Sequence, residues 1–383
     1  MAGIYIHIPF CKQACFYCDF HFSTSIKKKD DLVQCLIKEL ELRKEEFIGE
    51  TVETIYFGGG TPSLLSNEEL CRIIESIYLD FKVADTPEIT LEANPDDLTS
   101  YRIKQLENTP INRLSIGVQS FFDDDLKQMN RAHNAKESKH CLAEASYFFE
   151  NITIDLIYGI PNMSQDKWEA NLDQAFSFYV NHISSYALTL EPKTALEAFV
   201  KKGIYPPLDD NLALQHFKTL IEKTQERGFV HYEISNFGKP NYFSKHNTSY
   251  WQGKAYLGIG PSAHSFNRNN RSWNISNNSK YIQSIKNNTL PKTTELLSKK
   301  DRYNEYVMTG LRTIWGVSFS KVEQEFGLEY LQHLKASSKV FLSQSLLEVN
   351  STMGDNSLDN DYLKTTEKGK FLVDGIASDL FMI

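Results

Sequence analysis

Thr54-Ile55-Tyr56-Phe57-Gly58-Gly59-Gly60-Thr61-Pro62 decides the fold of this chain. The four leading residues are β-branched or aromatic, as a strand prefers. Three glycines and a proline then stop the strand in a turn. Asn67 follows as an expected helix N-cap, with Leu70, Ile73, Ile74 and Ile77 in an apolar stripe at helical spacing. The same order of strand, turn and helix recurs outward in both directions. Further strands are expected at Ile4–Ile8, Glu88–Leu91, Arg113–Val118, Thr153–Ile157 and Ser184–Leu190. Helices are expected at Asp30–Phe47, Asp97–Glu107, Ala135–Phe149 and Gln165–Tyr179.

Such alternation specifies a parallel sheet with helices outside it. Six units predict an α/β fold with a partial (β/α)6 barrel of TIM type, not a closed eightfold one. Chemistry in such barrels gathers at the C-terminal strand ends. The unusual residues fall there. They are Gly58-Gly59-Gly60-Thr61-Pro62, Glu92-Ala93-Asn94-Pro95, Gln119-Ser120-Phe121, Tyr158-Gly159-Ile160-Pro161 and Glu191-Pro192.

After a helix near Asp209–Arg227 the pattern changes. His231–Phe237 reads as one more strand, and His246–Trp251 and Gly258–Phe266 as loops. From about Leu297 the chain turns helical, then ends in a strand at Ser345–Asn350 and a helix over Gly369–Leu380. A small C-terminal α+β unit of winged-helix character is expected. The expected organisation is a barrel over residues 1–230, a connecting segment over 231–295 and the C-terminal domain over 296–383. The polar stretch Thr352–Asp361 reads as a loop.

Composition excludes several classes. The 383 residues carry a formal net charge of −8, which disfavours nucleic acid as a partner. No apolar run is long enough to span a bilayer. Met1–Pro9 lacks the basic segment and apolar core of a signal peptide and reads as the first strand. A cytoplasmic, thiol-reducing setting is expected. Cys35, Cys71 and Cys141 stand singly in helical segments and read as buried inert thiols.

The other three of the six cysteines lie within eight residues, in His7-Ile8-Pro9-Phe10-Cys11-Lys12-Gln13-Ala14-Cys15-Phe16-Tyr17-Cys18-Asp19-Phe20. Clustered thiols in a reducing compartment point to a metal or cluster. Three thiolates can hold three irons of a cubane and leave the fourth open. A structural zinc site is the alternative, but zinc wants four ligands. Asp19 and His21 are the nearby candidates for the fourth.

The spacing C-x3-C-x2-C after a first barrel strand, joined to the glycine turn of the second, resembles the radical S-adenosylmethionine superfamily. The resemblance implies a [4Fe–4S] cluster on Cys11, Cys15 and Cys18 whose open iron chelates S-adenosylmethionine. It further implies contacts to that ligand from Gly59, Gly60 and Thr61, from Gln119, Arg131 and Asp155, and from the backbone of Ala187. Glu92 would take hydrogen bonds from the ligand's ribose or ammonium. Tyr5 and Tyr17 would flank cluster and ligand. An electron donor such as flavodoxin or a reduced flavin protein is implied as well.

YIHIPFC, GGGTPS, EANPDDL, RLSIGVQSF, IDLIYGIP, HNTSYW and GIGPSAHSF together resemble the family of oxygen-independent coproporphyrinogen III oxidase and the HemW-type haem chaperone. The oxidase carries a fourth cysteine where this chain has Phe20, and an N-terminal arm where this chain has ten residues before Cys11. Both features favour the chaperone branch. His246-Asn247-Thr248-Ser249-Tyr250-Trp251 matches that branch's H-N-x-x-Y-W motif, which is linked there to haem. The resemblance therefore makes His246, Tyr250 and Trp251 haem candidates, with His264 as a second histidine. Imidazole is a common axial ligand and aromatic rings suit a porphyrin face. The implied function is binding of haem and its transfer to an unidentified acceptor protein, with a cluster-dependent homodimer as in relatives. The alternative is the oxidative decarboxylation of coproporphyrinogen III.

Overall fold

A computed structural model describes residues 2–351 and 361–383. The expected loop therefore lies, over residues 352–360, outside the described residues. Six parallel strands form the barrel: β1 (Ala2–Ile8), β2 (Val52–Gly59), β3 (Val83–Ala93), β4 (Arg113–Gln119), β5 (Asn151–Tyr158) and β6 (His182–Ala187). They pair in sequence order, so all their C-terminal ends meet at one mouth. Apolar alternation places Ile4, Ile6, Ile8, Ile55, Phe57, Ile89 and Leu91 in the core beneath the outer helices.

The sheet runs on at both margins. β7 (Val230–Glu233) and β8 (Asn236–Gly238) form a hairpin beside β6, where a single strand over His231–Phe237 was expected. The break has a local cause. The Glu233 carboxylate accepts from Ser235 N–H at 3.0 Å and from Asn236 Nδ2 at 2.5 Å, which folds the chain back on itself. On the other margin β9 (Ala255–Ile259) pairs parallel with β1, followed by β10 (His264–Phe266), β11 (Asn270–Asn274) and β12 (Lys292–Leu296), which are antiparallel. The sheet has twelve strands in the order β12-β11-β10-β9-β1-β2-β3-β4-β5-β6-β8-β7, and stays open.

Three local expectations are corrected. The cap of the helix Asn67–Asp80 is Ser66, not Asn67: Ser66 accepts from Glu69 N–H while Glu69 accepts from Ser66 N–H. Gly258–Phe266 is a tight strand pair, not a loop. A Cβ on Gly258 would stand 2.0 Å from His264 O, so this position needs glycine. Lys245–Trp251 is a helix. Its first two N–H groups, of Lys245 and His246, donate to the Glu88 carboxylate at 3.1 Å each. A carboxylate at a helix N-terminus satisfies both donors and the dipole. Of the lone cysteines, Cys35 and Cys141 are buried and Cys71 is partly exposed.

Beyond the sheet the helices Lys299–Leu311, Phe319–Phe326 and Leu328–Ser337 pack with a three-stranded antiparallel sheet. That sheet has the order β13 (Val317–Ser318), β15 (Asp361–Thr365), β14 (Leu347–Ser351). This unit has its own apolar cluster around Tyr303, Val307, Leu311, Leu334, Leu363 and Leu380. Among the described residues no helix is long and apolar enough to cross a membrane.

One buried ion pair ties β9 and its return loop to the first helix, Lys29–Arg43. Glu39 is 0% exposed. It accepts from Gly260 N–H at 2.8 Å, Tyr281 Oη at 2.6 Å, Asn274 Nδ2 at 2.7 Å and Arg43 Nη1 at 3.1 Å. Arg43 in turn donates to Gly258 O at 2.7 Å. Removing Glu39 takes the acceptor from Gly260 N–H, Tyr281 Oη and Asn274 Nδ2 in a buried site and leaves Arg43 with Glu46 as its remaining carboxylate, 2.9 Å from Nη2. Glu39→Ala is therefore expected to cost about 3–5 kcal/mol of unfolding free energy, read from the denaturant midpoint, with Glu39→Gln costing less.

Candidate functional site

The mouth of the barrel encloses a cavity of about 420 Å³. Cys11, Cys15 and Cys18 reach it from the loop after β1. That loop is pinned by backbone hydrogen bonds. Cys11 N–H donates to Ser23 O at 3.1 Å, Ser23 N–H to Pro9 O at 2.9 Å, Phe16 N–H to Met129 O at 3.2 Å and Leu196 N–H to Phe16 O at 2.8 Å. His7, buried in β1, holds its far end through an Nε2 to His21 O contact at 3.0 Å, and His21 Nε2 meets Asn278 Oδ1 at 2.8 Å. His7 and His21 are thus engaged in fixing the loop.

The glycine turn sits against this loop. Gly59 has φ +111°, which an L side chain resists. Gly60 N–H donates to Ile8 O at 2.9 Å. A Cβ on Gly60 would fall 2.6 Å from Phe10 O and 3.0 Å from Cys11 Sγ. The backbone of β2 therefore touches the first cysteine, and glycine alone permits it.

Carboxylates and a guanidinium complete the wall. Glu92 on β3 accepts from Tyr56 Oη at 2.8 Å and from Gly59 N–H at 3.2 Å. Burial raises its pKa to about 7. Asp155 on β5 is likewise raised by burial, to about 6, against the lowering fields of Arg113 and Arg131. Arg131 donates to Cys15 Sγ and Tyr17 Oη at 3.3 Å each, to Asn94 Oδ1 at 2.6 Å and to Gly117 O at 2.9 Å. Its Nε is buried and lacks a partner. Gln119 closes β4 at φ +64°, a conformation a non-glycine residue holds only where its surroundings impose it. Burial pushes the Cys18 thiol up to about 12 and raises Cys11, so a thiolate there requires a cation to face.

Tyr17, Gly59, Gly60, Thr61, Glu92, Gln119, Arg131, Asp155 and Ala187 all line the cavity with the three cysteines. Tyr5 does not line it. It lies deeper, with its hydroxyl 3.1 Å from His7 Nδ1 and its ring stacked on Tyr56 at 6.1 Å. Asn94, Gly117 and Tyr186 also line the wall, and none of them is singled out as a contact residue by sequence reasoning. Asn94 reads in sequence as a strand end alone, because its bond to Arg131 crosses from one strand end to the loop after the next. Phe20 is 65% exposed at the rim. Among the described residues no three His, Cys, Asp or Glu side chains are grouped to hold a single metal ion.

The haem candidates lie elsewhere. Tyr250 and Trp251 line a second cavity of about 910 Å³, between the strands β9–β11 and the C-terminal unit. Tyr256, Phe266, Tyr306 and Phe326 add rings to its wall, and Arg268, Arg271 and Arg302 add cations. His246 does not line this cavity. It is 1% exposed, with Nδ1 2.7 Å from Thr54 Oγ1 and Nε2 2.7 Å from Tyr250 Oη. Its ring stacks on Tyr56 at 4.8 Å. Both nitrogens are taken, so His246 braces the wall from behind. His264 is exposed on β10, stacked on Trp273 at 6.0 Å, and belongs to neither cavity wall.

The profile of the Radical SAM superfamily matches residues 5–175, and that of the HemN C-terminal domain matches residues 297–372. "Heme chaperone HemW" of Bacillus subtilis is 34% identical over 85% of this chain and 87% of its own length. "Heme chaperone HemW" of Lactococcus lactis is 33% identical over 97% of each. Among solved structures, coproporphyrinogen III oxidase (HemN) from Escherichia coli superposes with a TM-score of 0.84 at 22% identity, over 100% of this chain and 90% of that one, which establishes a shared fold.

The raised carboxyls set a pH dependence for the ligand-free protein. Glu92 titrates above its unfolded value, so the stability it contributes is complete below about pH 4.3 and is lost as pH rises through about 7. Denaturant melts of the ligand-free chain should lose stability across that window. Glu92→Gln should flatten the profile.

Proposed function

The chain belongs to the radical SAM superfamily, in its HemW branch, and from that premise we propose that it holds a [4Fe–4S] cluster and S-adenosylmethionine at the barrel mouth and binds haem for delivery to an acceptor protein. One observation carries the reading. A single cavity gathers three cysteines of one loop with the glycine turn, Glu92, Arg131 and Asp155, and a separate aromatic cavity lies beside Tyr250 and Trp251.

The mouth fits a cluster. Gly60 leaves a cradle against Cys11 Sγ that a Cβ would fill. A cubane takes each thiolate on a different iron, which suits cysteines not grouped around one ion. When bound, the cluster offers an open iron to the amino and carboxylate groups of S-adenosylmethionine and an electron to its sulfonium. The chain's own residues do the rest. Arg131 holds Cys15 and Tyr17 in one place and offsets thiolate charge. Glu92 and Asp155, costly to ionise because they are buried, gain a reason to ionise beside a cationic ligand. Gly59, Gly60 and Thr61 present backbone and hydroxyl to its carboxylate end, and Ala187 presents backbone to the adenine.

The second cavity suits haem as cargo. Rings of Tyr250, Trp251 and Tyr256 match a flat apolar face, and Arg268 and Arg271 match propionates. The volume lies within the range of cofactor sites. His246 supports this wall through Tyr250. An electron donor of flavodoxin type, a cluster-dependent homodimer and a cytoplasmic location belong to the same reading.

Anaerobic reconstitution tests it. About four irons and four sulfides per chain are expected, with brown absorbance, and Cys15→Ala should abolish both. Gly60→Ala should bind far less iron while keeping native circular dichroism. Added haem should give a stoichiometric absorbance band. Trp251→Ala or Arg271→Ala should weaken haem binding by about tenfold, as the loss of one stacked ring or charged contact of 1–2 kcal/mol implies. Absence of haem uptake, or robust turnover of coproporphyrinogen III with release of 5′-deoxyadenosine, overturns the haem reading.

A further inference from the structure

The seam between the β7–β8 hairpin and the C-terminal sheet encloses a third cavity, of about 350 Å³. Lys370 lines it from the short helix Glu367–Leu372, with its Nζ 2.8 Å from His231 Nδ1. The state of that histidine follows from its other side. His231 Nε2 lies 3.0 Å from Ile234 O, and a carbonyl only accepts. Nε2 therefore carries the hydrogen and Nδ1 the lone pair. The ring lies flat on Phe237 at 4.1 Å and edge-on to Phe217 at 5.8 Å, so it cannot swing away cheaply. Lys370 thus donates to a neutral imidazole in a half-buried setting.

The charged groups around it do not replace a counter-ion. Glu367, in its own helix, opposes the loss of charge. From β7, Glu233 faces the cavity but accepts from Arg312 Nη2 at 3.3 Å, from Asn236 and from Ser235. Arg312 also grips Asp374 at 2.6 Å. From β14, Glu348 accepts from Asn350 at 2.9 Å, and β15 adds the cation of Lys364. Burial lowers the Lys370 amine to about 8. A lysine whose ammonium is desolvated is the usual form of a nucleophilic amine.

We infer that Lys370 is a nucleophilic amine site that takes a small carbonyl compound, an aldehyde or ketone, as an imine. The lone pair of Nζ forms a bond to the carbonyl carbon. Both Nζ hydrogens then leave with the carbonyl oxygen as water, so nothing is oxidised or reduced. His231 Nδ1 is a positioning group that aims the amine. The site is apart from the two cavities above and does not depend on the haem reading.

The test uses the full chain with pyridoxal under cyanoborohydride, followed by peptide mapping of every lysine. Lys370 should be labelled at least about tenfold faster than the median lysine near pH 7.5, because an ordinary lysine near 10.4 is almost wholly protonated there. Its labelling rate should rise with a midpoint near 8. Urea should erase the advantage, and Lys370→Arg should remove this label while leaving the others. Labelling of Lys370 at the rate and pH dependence of exposed lysines overturns the proposal, as does an advantage that survives in urea. A lysine that merely ties the seam together would give that first result.

Discussion

The parallel pairing of β1 with β2 is the constraint on which the mouth depends. The register runs from Ile4 opposite Ile55 to Ile8 opposite Gly59. It brings the last residue of one strand, just before the cysteine loop, level with the glycines of the next. A one-residue slip would turn every side chain to the opposite face. It would also carry Gly60 away from Phe10 and Cys11, where its missing side chain is needed. The register is secured by the apolar core below and by the Gly60 to Ile8 hydrogen bond above. Everything else at the mouth, from Glu92 to Asp155, is held in place by strands built outward from this pair.

The helix Lys245–Trp251 shows how one short element serves two neighbourhoods. Glu88 receives its N-terminus inside the barrel, and His246 fills the space beside Tyr5, Tyr56 and Thr54. Two residues at helical spacing connect the two sides, since Tyr250 lies one turn on from His246 and faces the second cavity. Gly3 allows this close packing, because a Cβ there would stand 2.7 Å from Thr54 Oγ1 and 3.1 Å from His246.

How much was legible in the sequence depended on whether the governing force was local. The six barrel strands and their helices could be read because Ile4, Ile55, Ile89 and Ile116 repeat an apolar pattern that burial on both faces requires. The mouth was legible for the same reason, since strand ends in a parallel sheet share one side. Polar tertiary partners were not legible. The sequence HNTSYW lacks an apolar stripe, and its helix exists because Glu88, far off in the chain, accepts its first N–H groups. β10 and β11 are short and polar, and are strands because β9 has a free edge to offer. Asn67 was a reasonable cap by residue type, but Ser66 has the reciprocal Glu three positions on. That both nitrogens of His246 are engaged, by Thr54 and Tyr250, is a tertiary fact with no signal in the sequence.

The two margins of the large sheet are finished in unlike ways. β12 reads Lys-Thr-Thr-Glu-Leu and is largely exposed, with charge at Lys292 and Glu295 to discourage another strand from docking. β7 has no such protection. Its outer rim is covered by the start of the C-terminal unit, through Ile234 N–H to Arg312 O at 3.0 Å and Ile314 N–H to Tyr232 O at 3.1 Å. The C-terminal unit is therefore a guard against self-aggregation as well as a wall for the cavities. A chain shortened to the barrel would bare a row of unmatched amides and carbonyls, a template on which its own copies could polymerise.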